Sequence, residues 1–179
     1  MLRKTTLALL LIILTSCGTT RRPDGLPGNF GVVEEGKIYR GAQPDDTSIA
    51  ALQKLGIRTI VKLNDAHFAE ESAAALRAGI TLISVPLDPH TVGTARSCPD
   101  VERAYAALTS PAHWPVYVHC THGRDRTGYL IGLIRERREG WAYERVSQEL
   151  EQYGHNDVMR MLMPNITSSL AHGPACPAN

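Results

Sequence analysis

The run PVYVHCTHGRDRTGYLIGLI, residues 115–134, restricts what this chain can fold into more than any other stretch. A β-rich segment leads into a short loop carrying Cys120, Gly123 and Arg126, and a strongly apolar segment follows at once. Both flanks can be buried only if a strand feeds a helix through a tight turn. Such a turn leaves the first backbone N–H groups of the helix without partners, and with the helix dipole they form a cradle for an oxyanion. Gly123 gives the loop torsions that side chains forbid. The same positive end depresses the pKa of a thiol at its entrance, so Cys120 is expected to be a thiolate at neutral pH. Arg126, after five intervening residues, can return to the loop's mouth and hold two phosphate oxygens bidentately.

From KIYRGAQP onward, short β-rich runs alternate with helical patterns. IRTIVKLN, TLISVPL and PVYVHC read as strands covered on both faces. DDTSIAALQKLG and AEESAAALRAG read as helices closing on Gly56 and Gly79. A further helix is expected from Pro99 or Asp100 to about Thr109, and a mostly buried one along TGYLIGLIRERREG to Gly140. Val146, Leu150 and Tyr153 share one face of an amphipathic helix over residues 141–153, and DVMRMLM suits one more short turn. This alternation implies an α/β fold: a central, mostly parallel sheet of four to five strands flanked by helices. Ligands of such sheets sit beyond the carboxyl ends of strands, where the loop of Cys120 lies.

With 179 residues, 43% of them hydrophobic, the chain suffices for one well-buried domain. Its first residues read as a targeting segment, with a basic MLRK followed by the apolar TTLALLLIILTS, which is too short for a comfortable bilayer span. LTSC, ending at Cys17, resembles the bacterial lipobox, which makes Cys17 the expected lipidation site and residues 1–17 a lipoprotein-type signal peptide. Two acyl attachments would anchor the domain stably to a membrane. Gly18 is not aspartate, and this favours the outer membrane, with the domain on the periplasmic face of the envelope. Residues 18–31 are rich in Gly, Pro and Arg and read as a tether, residues 32–165 as the domain and residues 166–179 as a tail. The formal charge of +1 provides no global field for nucleic acid, and no nucleic-acid partner is expected. Of the four cysteines, Cys98 and Cys176 are left to pair or not, since spacing does not decide it.

HCTHGRDRTG resembles the HC-x5-R-[ST] signature loop of the cysteine-dependent phosphatases. The flanks IYRGAQPDDTSIAALQKLGIRTIVKLND and YLIGLIRERREGWAYERVSQELEQYG are similar to compact bacterial and fungal-type dual-specificity phosphatases, including exported ones. The resemblance covers roughly residues 32–160 and implies the cysteine-phosphatase fold, with a phosphorylated protein or small phosphorylated molecule as substrate. By the same resemblance, Cys120 forms a phosphocysteine intermediate, Arg126 clamps the phosphoryl group, Thr127 donates to the sulfur and His119 orients the loop and tunes the thiolate. Thr121, His122, Gly123, Arg124 and Asp125 line the phosphate site, and no metal or cofactor is needed. Arg40 and Gln43 match positions that support the loop in relatives. Relatives draw the leaving-group proton from an aspartate some thirty residues upstream. Here Asp88, in the loop PLDPHTVG, takes that place, while Asp100 and Glu102 suit the acidic first turn of a helix. Two other functions stay open, an inositol polyphosphate phosphatase on the same fold and a phosphate-binding module that scarcely turns over. A sulfurtransferase fits a five-residue loop less well, and zinc on His119, Cys120 and His122 lacks an evident fourth ligand.

Overall fold

The computed structural model of the chain describes residues 24–173 and Cys176. The expected signal peptide, Cys17 and the first part of the expected tether lie outside the described residues. Five strands form one sheet in the order β1 (Gly31–Glu34), β2 (Ile38–Ala42), β5 (Val116–Cys120), β3 (Thr59–Lys62) and β4 (Thr81–Ser84). All neighbours are parallel except β1 and β2. The expected α/β architecture is therefore the observed one, with an antiparallel edge strand added.

Helices α1 (Asp46–Lys54) and α2 (Phe68–Arg77) alternate with the first strands, and α3 (Cys98–Thr109) precedes β5. The chain then runs through α4 (Asp125–Glu139), α5 (Tyr143–Gln152), α6 (Asp157–Leu162) and α7 (Pro164–His172). Local chemistry sets several of these ends. Asp45 caps α1 by accepting from the Ser48 N–H at 2.8 Å, and α4 stops at Gly140 in the left-handed conformation.

Alternation along the strands sorts side chains to two cores. Val116, Val118 and Cys120 of β5, with Val61 of β3, join the core that contains residues of α3, α4, α5 and α7. Tyr117 and Ile60 join the smaller core with residues of α1 and α2. Each fully buried aliphatic side chain here contributes on the order of 1.5–3 kcal/mol. Apolar on every side from Tyr129 to Ile134, α4 is buried from Thr127 to Arg135, while Arg138 and Glu139 of its last turn are exposed. A Cβ at Gly128 would stand 2.6 Å from Leu150, so glycine there lets α5 press against α4.

Two boundaries differ from the sequence expectation. Residues 24–31 were expected to be tether, yet Gly28 accepts from the Ala42 N–H at 2.7 Å and Asn29 bonds to the signature loop, so they belong to the domain. The tail expected from residue 166 begins inside α7, whose Ile166 and Leu170 are buried against α4 and α5. Nine residues with one buried stripe are too few to stand out in the sequence. Cys98 and Cys176 form a disulfide across a sequence separation of 78 residues, which ties the end of the chain to the start of α3. Closing so long a loop restricts the unfolded chain, so the Cys98→Ser/Cys176→Ser variant should lose about 2–4 kcal/mol in urea unfolding. Stability equal to that of the unaltered protein would contradict this.

Candidate active site

Residues 121–124 connect β5 to α4 between the carboxyl ends of β2 and β3, with Cys120 and Arg126 at the two ends of the turn. The loop is fastened from several directions. Fully buried, Arg40 of β2 donates to the Gly123 carbonyl at 2.8 Å and lies 3.7 Å over the Tyr153 ring. Burial pulls its guanidinium down to about 10, so it stays charged at neutral pH. Asn29 donates from its amide to the carbonyls of His122, Gly123 and Tyr153 at 3.0–3.2 Å. The Gln43 N–H meets the Thr121 carbonyl at 3.3 Å. Gly123 has φ of +66°, and a Cβ there would fall 2.2 Å from the carbonyl carbon of Gly41. Only glycine lets the loop lie so close to β2.

Cys120 is the one free cysteine among the described residues, and it is buried at the foot of this loop. Burial alone would push its thiol up. The hydroxyl and amide of Thr127, the charge of Arg126 and the amide of His122 outweigh burial and hold it below the ordinary value. Thr127 has its hydroxyl buried with no other partner, as its expected role of donor to the sulfur requires.

Arg126 spans the mouth of the loop, with Nη1 3.3 Å from the carbonyls of both Leu63 and Leu87 and Nη2 3.2 Å from Thr121 Oγ1. These contacts fix the guanidinium plane before any phosphate arrives, which lowers the entropic cost of a bidentate grip. Asp88 follows Leu87 directly. Its side chain is exposed, and its Oδ1 accepts from the His90 N–H at 2.8 Å, closing a turn beside the Arg126 contact.

Other expected site residues have different surroundings. The side chain of His122 is exposed. Arg124 folds back, with Nε 3.0–3.1 Å from both oxygens of Asp125 and Nη2 against the sulfur of Met159. Asp125 is buried and also meets Nδ1 of the fully buried His155 at 2.8 Å. Burial would raise its carboxyl, but His155 and Arg124 hold it below the usual range. The positive charge of Arg124 is thus matched within the loop.

His119 is fully buried beneath the loop, and its Nε2 lies 2.7 Å from Oε1 of Glu71 on α2. Glu71 also receives Lys62 Nζ at 2.6 Å and Gln43 Nε2 at 3.1 Å. Asn64 donates to Gln43 Oε1 at 2.8 Å and Thr121 Oγ1 at 3.3 Å, which joins this network to the loop. Asn29, Lys62, Asn64, Glu71 and His155 were not singled out from the sequence. Only Lys62, a charge inside an apolar strand, carried a signal, since a buried ammonium demands a partner. Among the described residues no group of three or more His, Cys, Asp or Glu is placed to hold a metal ion.

A nucleophile, an amide cradle and a fixed guanidinium are thus assembled around a space suited to a tetrahedral oxyanion. A model described as the tyrosine phosphatase family matches residues 26–175. The chain belongs to the tyrosine phosphatase family. Within the curated proteins, this phosphatase-family chain is similar to inositol diphosphatase DSP3 of Arabidopsis thaliana, 32% identical over 132 residues, 73% of this chain and 63% of that protein. It is also similar to dual specificity protein phosphatase TpbA of Pseudomonas aeruginosa, 29% identical over 121 residues, 67% of this chain and 52% of the other. The chain therefore spans less than two thirds of the length of either relative. The core catalytic domain of PP-IP phosphatase SIW14 from S. cerevisiae, solved with citrate, matches with a TM-score of 0.69 at 23% identity, covering 81% of this chain and 85% of that one. At that identity the likeness is one of fold.

The approach of Gly123 to β2 yields a direct test. In Gly123→Ala the new methyl meets main chain, so the loop itself must shift. The variant should lose about a hundredfold in kcat/KM on an aryl phosphate, the scale expected of a misplacement near 1 Å. An unchanged kcat/KM would contradict the geometry.

Proposed function

We propose that the protein hydrolyses phosphomonoesters as a protein-tyrosine or dual-specificity phosphatase, through a phosphocysteine intermediate. The observation that carries this reading is the depressed thiol of Cys120 inside an amide cradle, with Arg126 already held across its mouth. In the first step the Cys120 sulfur attacks phosphorus, the S–P bond forms and the P–O bond to the leaving group breaks. Arg126 and the loop amides take up the equatorial oxygens as charge redistributes. Asp88 protonates the departing oxygen. In the second step a water attacks phosphorus, gives its proton to the Asp88 carboxylate, and the S–P bond breaks with Thr127 stabilising the leaving sulfur.

Charge at the rim favours phosphorylated peptides over densely anionic inositol phosphates. Beside Thr121 a cavity of about 430 Å³ is lined by Asp45, Asp46 and Glu70 together with Gln43 and His67, while Glu71 at its floor is already paired with Lys62 and His119 and Asp46 with Arg77. Asp125 offsets Arg124, so the loop adds no second unmatched cation. TpbA bears the name of a dual-specificity protein phosphatase and DSP3 that of an inositol diphosphatase. The acidic rim supports the first assignment for this chain.

We further propose that the protein is exported and lipid-anchored through Cys17 on the periplasmic face of the envelope, at the outer membrane. The basic and apolar first residues and LTSC support this. The Cys98–Cys176 disulfide supports an oxidising compartment.

Hydrolysis of a panel of phosphotyrosine, phosphoserine and inositol phosphates, without added metal and with or without vanadate, tests the activity. Turnover of phosphopeptides that vanadate blocks and Cys120→Ser abolishes is expected, and full activity in Cys120→Ser would overturn the mechanism. Asp88→Asn should slow phosphoserine turnover by about 10²–10⁴-fold and aryl phosphates with good leaving groups far less. Equal slowing of both would remove Asp88 from the acid role.

A further inference from the structure

The sheet places Cys120 and His119 on opposite faces, and what lies behind the nucleophile has its own chemistry. On the α2 side, Lys62 of β3 is in register with His119 of β5. The Glu71 carboxylate sits between them, 2.6 Å from Lys62 Nζ and 2.7 Å from His119 Nε2. The side chains of Lys62 and His119 are wholly buried and that of Glu71 almost so, which sets this cluster apart from surface ion pairs of little consequence.

Hydrogen-bond accounting limits the form of His119. Its Nδ1 is 3.2 Å from the Cys120 carbonyl oxygen while its Nε2 faces Glu71. A carbonyl only accepts, and so does an ionised carboxylate. Burial would push Glu71 up, but its contacts with His119 and Lys62 outweigh that and keep it below the ordinary value, hence ionised at neutral pH. A neutral imidazole has a single N–H and would set one ring nitrogen's lone pair against an acceptor. Only the imidazolium donates to both.

Glu71 carries one negative charge against Lys62 and, on this assignment, His119, so the cluster behind Cys120 keeps one positive charge. Tyr117 stacks on the His119 ring at 5.9 Å, and burial pushes its phenol well up, so it stays neutral. Its hydroxyl donates to the Ala42 carbonyl. Arg40 from β2 and Arg126 from α4 act on the same sulfur, and Lys62 adds a third cation. Glu71 is the carboxylate in contact with the ring, and it offsets Lys62.

We infer that Glu71 is a positioning residue for the nucleophile: from the far face of the sheet it keeps His119 as an imidazolium, which holds the Cys120 carbonyl and places a fixed positive charge behind the sulfur. The functional meaning rests on the phosphatase reading above, whereas the protonation of His119 does not. Glu71 touches no reacting atom and acts through His119.

Ring-nitrogen NMR of the full chain labelled with 15N-histidine tests the first half, with His119 assigned from the signals missing in His119→Asn. Two protonated ring nitrogens on His119 near neutral pH are expected, since both face acceptors. A single neutral tautomer near neutrality would overturn the inference without any variant having to fold. The second half is read from the pH dependence of iodoacetamide alkylation at Cys120 in Glu71→Gln, which keeps shape and removes charge. Its midpoint should move up, because the charge lost is that of His119, which adjoins Cys120, while Lys62 stays charged farther off on β3. Glu71→Asp should recover part of the shift, and a midpoint that stays or moves down would overturn the assignment. A merely structural role would lower the rate by the same factor at every pH, and that outcome would overturn the assignment. Alkylation needs no turnover, so a chain that hydrolyses no phosphomonoester would defeat the phosphatase reading and leave these two readouts to decide on Glu71.

Discussion

A sulfur whose charge is favoured although it is buried is the constraint to which the rest of this molecule answers. Burial opposes the charge on Cys120, and every feature of the surrounding turn supplies compensation: the amides at the start of α4, the Thr127 hydroxyl and the Arg126 guanidinium. Compensation works only if these dipoles are held in place. Parallel neighbours on both sides fix the end of β5, with Ala42 in register with Cys120 and Lys62 with His119. On the other side of the turn α4 is held by packing from Thr127 to Arg135. The loop is a joint between two packed elements, and Arg40, Asn29 and Gln43 brace it.

The second theme is how few charges are left unmatched. Arg124 is returned to Asp125, Asp125 is shared with His155, and Lys62 is returned to Glu71. Arg126 instead meets two carbonyls and a hydroxyl, neutral partners that orient its charge without cancelling it. A site arranged this way concentrates its field on one bound oxyanion. Acids on the adjoining rim suit a substrate whose remaining surface is neutral or basic.

Much of this was legible in the sequence because it is local. The strand, loop and helix around Cys120 are contiguous, so patterning and spacing reveal the nucleophile, the cradle and the arginine together. The α/β alternation and the end of α3 at Thr109 follow from periodicity in the same way. What escaped is long-range. Glu71 reads as an ordinary acidic residue in the first turn of a helix, and nothing near it says that His119, 48 residues away, is its partner. His155 and Asn29 look like turn residues until the fold brings them to Asp125 and the Gly123 carbonyl. The boundary at residue 165 failed for a related reason: α7 is short, and its buried Ile166, Ser169 and Leu170 are recognisable only against the helices they cover.

Titrating the Cys120 thiolate by its ultraviolet absorbance, as the difference between the full chain and Cys120→Ser, tests the central claim most directly. The account predicts ionisation with a midpoint clearly below the value of about 8.5 for a free cysteine. A midpoint at or above that value would mean that burial prevails over the amides and the guanidinium, and it would contradict the account.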